Sequence, residues 1–203
     1  MAEDIGLFEA MYSQRAIRHI KSDPIPDELV EKIIDAGIRA PNGGNQQGWG
    51  FVVIKDRAVK EKMAPLYNDV GRPNHGAANT WSEKNSANSA EYLGDHVADV
   101  PVWILAVTKN DGGDISTGAS IYPAVQNMLL AARALGLASV LTTRVRRGYE
   151  AQMREWIGLP EGWSTAAMIP LGWPLDGYKY GPTTRKPAST VTHWDTWGNQ
   201  KDS

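Results

Sequence analysis

Residues Ser116 to Leu135 carry no charged side chain before Arg133. Across that stretch Ile121, Val125, Met128, Leu129, Ala132 and Leu135 recur at helical spacing, and many of the positions between them are small. A helix without a charged face is poorly suited to a free surface, so this one predicts a central or interfacial element around which the chain folds. Gly136 follows directly and suits a C-cap. Two further runs belong to the same interior. Val100-Pro101-Val102-Trp103-Ile104-Leu105-Ala106-Val107 is almost unbroken in apolar character, as a strand covered on both faces requires. Thr165-Ala166-Ala167-Met168-Ile169-Pro170-Leu171-Gly172-Trp173-Pro174 reads as another apolar strand closing on a Gly/Pro turn.

The remaining segments supply shorter elements. Ile5, Phe8, Met11 and Tyr12 fit a short helix with one buried face. Asp23-Pro24-Ile25-Pro26 is an extended connector, after which Asp27 and Glu28 fall in the first turn of a helix and complement its dipole. Leu29, Val30, Ile33, Ile34, Gly37 and Ile38 form that helix's apolar stripe. Gly48 to Ile54 reads as a buried strand, Arg57 to about Tyr67 as a helix, and Leu137 to Leu141 as a short strand ending in Thr142-Thr143. Tyr149 to Gly158 is a helix with Met153, Trp156 and Ile157 inward. From Asn68 to Asp95 the composition turns to Asn, Ser, Gly and Ala, which predicts a lid or insertion loop whose aromatics, Trp81 and Tyr92, are candidates for touching a substrate. The tail, residues 183–203, has tryptophans without periodicity and predicts an extended arm packed on a partner subunit.

Composition closes several routes. The 203 residues suit one domain spanning 1–203, and a formal charge of -2 argues against a protein that coats nucleic acid or an anionic membrane. The absence of cysteine removes disulfides, thiolate nucleophiles and iron–sulfur clusters, so redox chemistry would require a bound cofactor. The N-terminus lacks an apolar leader and no stretch reaches the ~18 residues of a membrane span, so a cytoplasmic protein is expected. No G-x-G-x-x-G, G-x-x-x-x-G-K-[ST] or G-x-S-x-G occurs. His19, His75, His96 and His193 are scattered without ligand spacing, and no metal site is expected.

Two polar features remain. Ala40-Pro41-Asn42-Gly43-Gly44-Asn45-Gln46-Gln47-Gly48-Trp49 is a turn rich in neutral amides, better suited to a planar hydrogen-bonding ring than to a metal. Its other reading is a plain helix-to-strand connection. Arg15 and Arg18, three apart in Ser13-Gln14-Arg15-Ala16-Ile17-Arg18-His19, could converge on one anion or stand as solvated cations. With Arg185 and Lys186, and with Asn42, Asn45 and Gln46, they make a set suited to a mononucleotide carrying a flat ring and one phosphate.

These segments resemble the nitroreductase family of FMN-dependent oxidoreductases over almost the whole chain. Arg15-Ala16-Ile17-Arg18 is similar to that family's R-[SA]-x-R segment, and Ala40-Pro41-Asn42-Gly43-Gly44-Asn45-Gln46 to its A-P-S-G-G-N-x-Q turn, with Asn42 in place of serine. Leu135-Gly136-Leu137, Leu141-Thr142-Thr143, Ile169 to Pro174 and Arg185-Lys186-Pro187 follow in the family's order. The resemblance implies an α+β sandwich with a mostly antiparallel sheet of four to five strands, flanked by helices, in a homodimer that exchanges C-terminal arms and holds FMN at the subunit interface. It implies that Arg15, Arg18 and Arg185, with Lys186 in support, hold the phosphate, and that Ala16 and Ile17 share that segment. Pro41, Asn42, Gly43 and Asn45 would meet the isoalloxazine, Leu141, Thr142 and Thr143 would offer it backbone N–H groups, and Ser120 and Asn127 would approach from the partner. Leu171, Gly172 and Trp173 would line the phosphate or ribityl side.

The implied activity passes hydride from NAD(P)H to the flavin and on to a nitroaromatic, quinone or enone, with no catalytic side chain and no metal. Other readings are a flavin-binding or storage module without turnover, and a flavin-consuming or dehalogenating enzyme of the same fold.

Overall fold

The computed structural model describes residues 5–69, 81–109 and 115–200, apart from the side chains of Asp69 and 81–87. Its centre is a sheet of four strands: β1 (Trp49–Ile54), β2 (Val102–Lys109), β3 (Ala138–Ser139) and β4 (Trp163–Gly172). The order is β1-β2-β4-β3 and every pairing is antiparallel. Helices α1 (Leu7–Ser13), α2 (Asp27–Gly37), α3 (Arg57–Asp69), α4 (Trp81–His96), α5 (Ile115–Ala134) and α6 (Glu150–Trp156) flank it, giving an α+β fold.

Strand β2 shows why the apolar runs take this position. Its side chains alternate between faces, so Val102, Ile104 and Ala106 join Val30 and Ile33 of α2 and Ile121, Val125 and Met128 of α5. Trp103 and Leu105 turn the other way, onto Met63 and Tyr67 of α3, Leu93 of α4 and Met153 of α6. A strand filled on both faces has no polar row to expose, which is the meaning of its unbroken apolar sequence. Each large aliphatic side chain buried this way contributes about 1.5–3 kcal/mol before the entropy of ordering is set against it.

Helix α5 ends as its sequence predicts. Gly136 takes φ +77°, its N–H donates to Arg133 O at 3.1 Å, and Leu137 N–H donates to Ala132 O at 2.8 Å. This paired closure satisfies carbonyls the last turn would leave open and returns the chain into β3. One face of α5 fills the core, while Ala119 and Gln126 on its outer side are exposed within the single chain.

Two expectations need correction. The segment Asn68 to Asp95 is not a loop throughout: α3 runs to Asp69 and residues 81–96 form α4, with residues 70–80 outside the described residues. Among the described side chains of α4, Leu93 is the one that joins the core, and the sequence of the helix shows no long apolar stripe to read. The apolar face of α1 is also not buried in this chain: Phe8 and Tyr12 are 66% and 70% exposed, and only Ala10 is sealed. Among the described residues no helix is long and apolar enough to cross a membrane.

Candidate functional site

The N-terminal segment is sewn into the molecule by main-chain bonds. Ile17 N–H donates to Ser139 O at the outer edge of β3 (3.2 Å), and Lys21 N–H donates to Trp173 O (2.8 Å). From the other end of the chain, Leu175 N–H reaches His19 O and Gly181 N–H reaches Ser13 O, both at 2.9 Å. Residues 13–21 thus lie between the sheet edge and the segment 173–181, and Arg185 begins four residues past one of those bonds. The two ends of the polypeptide therefore run together, as a shared anion site requires. Arg185 is exposed with its guanidinium donating to Thr184 O at 3.0 Å, and Lys186 is exposed.

Within that segment the two arginines differ. Arg15 and Ala16 are exposed and Ile17 is buried. Arg18 is half-buried and pairs with no carboxylate among the described residues. Burial pushes its guanidinium below the ordinary value; Tyr67 acts in the opposite direction, and the Arg144 guanidinium adds to the fall. A desolvated cation beside a second cation is a place prepared for negative charge or for a ligand rich in acceptors.

The chain from Leu141 to Thr143 supplies donors next to this cation. Thr142 is bridged to β4 in both directions, N–H to Met168 O at 2.9 Å and Met168 N–H to Thr142 O at 2.8 Å. Its N–H is therefore spent on the sheet, which corrects the expectation that all three residues offer theirs to a ligand. Because the peptide is trans, Thr143 N–H points opposite to Thr142 C=O, away from β4. Among the described residues neither Thr143 N–H nor Leu141 N–H makes a hydrogen bond, so the outer edge carries open donors.

The amide-rich turn forms a separate unit. Gly43–Asn45 makes one tight helical turn, in which Asn42 Oδ1 accepts Gln47 N–H at 2.8 Å and Gly43 N–H donates to Ser120 Oγ at 3.2 Å. Gly44, Asn45 and Gln47 all take positive φ (58°, 52° and 50°), a conformation ordinary side chains adopt at a cost and one that turns the exposed Asn45 outward. Pro41 is exposed and Asn42 half-buried. Asn127 donates from Nδ2 to Ala36 O at 3.3 Å. Ser120 and Asn127 are thus engaged within their own chain, and any subunit that presents Ser120 to a ligand presents the turn with it.

That unit lies far from the basic segment. Arg133, thirteen positions after Ser120 on α5, donates from Nε to Ser13 Oγ at 2.8 Å. At the rise of an α-helix this separation is about 20 Å, so one chain holds the turn and the Arg15–Arg18 segment at opposite ends of α5.

Leu171, Gly172 and Trp173 do not line a ligand face together. Leu171 has no exposed surface, and a Cβ on Gly172 would stand 2.6 Å from Ile20 Cγ2 and 2.8 Å from Pro101 Cγ, so both are packed into the end of the sheet. Trp173 alone reaches a surface hollow, beside Lys21, Asp23, Pro24, Gly136 and Pro174, with its indole N–H on Pro24 O at 3.3 Å. Of the predicted substrate aromatics, Tyr92 stacks on His19 at 4.0 Å, and the Trp81 side chain lies outside the described residues, as does His75. Among the described residues no group of three or more potential ligands is placed to hold a metal ion. Tyr67 and Arg144 are site neighbours that sequence reading missed. Only the position of Arg144, directly after Thr143, could have pointed to it.

The nitroreductase family profile matches residues 11–173. The "putative NADH dehydrogenase/NAD(P)H nitroreductase" of Archaeoglobus fulgidus is 32% identical over 169 residues, covering 82% of this chain and 84% of its own length. Iodotyrosine deiodinase 1 of Rattus norvegicus is 25% identical over 189 residues, covering 88% of this chain and 66% of its own. This chain thus spans slightly less than two thirds of that deiodinase. Among solved structures, an iodotyrosine deiodinase bound to FMN and 3-iodo-L-tyrosine superposes with a TM-score of 0.75 at 18% identity, over 95% of this chain and all of its own. A nitroreductase with bound FMN from Desulfitobacterium hafniense does so with a TM-score of 0.72 at 20% identity, over 93% and 97%.

Proposed function

Because the chain belongs to the nitroreductase family, we propose that it is an FMN-dependent oxidoreductase that draws electrons from NAD(P)H and delivers them to a small oxidising substrate. The observation that carries this reading is the half-buried Arg18, without a carboxylate partner among the described residues, beside an edge whose Thr143 and Leu141 N–H groups are open. A flat, acceptor-rich ring bearing a phosphate fits that donor set, and FMN-bound solved structures share the fold.

In this reading the roles divide by surroundings. Arg18 lies on the side of Tyr67 and Thr142, so it faces the ring and stabilises negative charge gathering there. Thr143 N–H donates to a ring acceptor. Arg15 and Arg185, exposed where the two chain ends run together, take the phosphate, with Lys186 in support. Bound FMN supplies the acceptance and release of hydride, which this cysteine-free chain has no side chain to perform. The protein binds, orients and sets charge, and no side chain acts as a nucleophile.

The distance along α5 supports an interfacial site. If the Pro41–Asn45 turn meets the same ring, the turn and its bonded Ser120 come from a second copy of the chain. The homodimer therefore supplies the basic segment from one subunit and the amides from the other.

The test is direct. Purified protein is expected to be yellow and to release FMN on boiling, and mixing with NADH or NADPH is expected to bleach the flavin. Failure of both nucleotides to bleach it would favour a storage module. Arg15→Ala, Arg18→Met and Arg185→Ala are each expected to raise the FMN dissociation constant about tenfold or more, as loss of a charge-assisted hydrogen bond does, and Lys186→Ala less. Equal retention in all four would place the phosphate elsewhere. Likeness to deiodinases supports a second reading, reductive dehalogenation at the same site. Halide release from an iodophenol, set against reduction of a nitroarene of similar size, separates the two.

A further inference from the structure

Thr142 is held by more than its bridge to Met168. Its Oγ1 lies 3.3 Å from the hydroxyl of Tyr67 and also accepts Arg144 N–H at 3.3 Å. Tyr67 comes from the last turns of α3 and is 7% exposed, and Thr142 Oγ1 is its hydroxyl's partner. Burial raises the phenol above its ordinary value, so it remains protonated and keeps its donor at neutral pH. The Arg144 guanidinium sits over the Tyr67 ring, 4.9 Å from its centre. Arg144 also comes near α4: a Cβ on Gly94 would stand 3.2 Å from Arg144 Nη1 and 2.9 Å from Asn68 Oδ1. Contact therefore runs from α4 through Arg144 and Tyr67 to Thr142.

We propose that Tyr67 is a positioning residue: its hydroxyl on Thr142 Oγ1 helps fix the peptide that aims Thr143 N–H outward, and Arg144, which lies over the Tyr67 ring and near Gly94, couples that aim to the placement of α4. This rests on the reading of the 141–143 edge as the one that meets the ring. The physical basis is that a trans peptide is rigid. Once Thr142 is held at its N–H, its carbonyl and its side chain, the direction of the next N–H is set. Loss of the hydroxyl removes one of the two bonds on Thr142 Oγ1, and the edge is then held by the bridge and by the Arg144 N–H. A shift of α4 carries Gly94 toward or away from Arg144, and so bears on the Tyr67 ring against which Arg144 lies.

The experiment compares Tyr67→Phe and Gly94→Ala with Tyr122→Phe, which removes a phenol bond of the same length to Ala166 O, on the other face of the sheet. Amide hydrogen exchange at Thr142 is read without cofactor, and the dissociation constant and visible spectrum of added FMN are read in parallel. In Tyr67→Phe, exchange at Thr142 is expected to quicken about three- to tenfold, the size of one lost hydrogen bond, with a matching rise in the FMN constant and a displaced flavin band. Gly94→Ala, which keeps the phenol, is expected to shift the same three readings by less. Tyr122→Phe is expected to leave them at wild-type values. Wild-type readings in Tyr67→Phe, or equal shifts in Tyr122→Phe, overturn the proposal. If the wild-type protein takes up no FMN, the reading of the site fails, and exchange at Thr142 still decides the role of Tyr67.

Discussion

At the scale of single residues, position in the sequence and surroundings in the fold carry different information, and His19 illustrates both. It directly follows the Arg15–Arg18 segment, yet its ring is clasped by Tyr178 at 3.8 Å and by Tyr92 at 4.0 Å, and Tyr92 in turn meets His96 at 4.3 Å. His96 Nδ1 lies 3.5 Å from Asp99, Arg18 is the cation beside His19 on its own segment, and Lys21 is paired with Asp176. Burial first, then His96 and Arg18, hold the His19 imidazole below its ordinary value. The unfolded chain therefore takes up this proton before the folded one does. Stability from this group is complete above about pH 6.5 and declines as the pH falls from there toward the folded value. The urea midpoint is expected to drop more between pH 7.5 and 5.5 in the wild type than in His19→Phe, which keeps an aromatic ring in the clasp without a proton to accept. Parallel slopes in the two proteins would show that the clasp does not titrate with folding. None of this was readable from one histidine among four, because the partners come from α4 and the C-terminal segment.

At the scale of elements, the apolar runs were legible because period reports burial, and the misreadings share a cause. β2, β4 and α5 lie where their patterns put them, with Trp103 and Ile104 on opposite faces of one strand. The polar sequence of α4 has no stripe to read, and among its described side chains Leu93 carries the core contact. The α1 pattern correctly marked an apolar face but could not say what covers it. In the proposed site, the arginines and the amide turn are residue types the sequence displays, whereas the spent N–H of Thr142 and the seat of Arg144 depend on strands and helices distant in sequence. How an element anchors its neighbours can be tested at Trp103, which is fully buried and donates from its indole to Val97 O at 2.9 Å. That bond ties β2 to the turn that ends α4. Trp103→Phe removes the donor and leaves a small void, and is expected to cost about 2 kcal/mol in urea unfolding with an unchanged slope. Trp197→Phe, at a side chain 90% exposed, is expected to stay within about 0.5 kcal/mol of wild type.

At the scale of the whole molecule, three surfaces are left apolar or uncharged by one chain. Leu7, Phe8 and Tyr12 of α1 stand 62%, 66% and 70% exposed, the outer side of α5 shows Ala119 and Gln126, and the last segment carries Val191 and Trp194 outward. Helix α1 packs on α5 near its C-terminal end, where Arg133 meets Ser13 and Glu9. Scattered exposed apolar residues are ordinary in a soluble protein, but a helix whose apolar side is left open, packed on a helix whose one charged side chain is Arg133, is the pattern of a face that a partner covers. The proposed site asks for the same partner, since the amide turn and the basic segment are separated along α5. One substitution can therefore probe both. Phe8→Glu places a charge in the middle of the α1 face without touching the turn, the arginines or the 141–143 edge. It is expected to convert a dimer to monomer in sedimentation and, with the turn withdrawn, to weaken FMN by at least tenfold at protein concentrations where the wild type is dimeric. Truncation before Thr190 tests the arm separately: it is expected to weaken the dimer and the cofactor together. A Phe8→Glu protein that sediments as a dimer would show that the α1 face is not the contact. A monomer that keeps wild-type affinity for FMN would show that one chain completes the site and that the amide turn serves only to join α2 to β1.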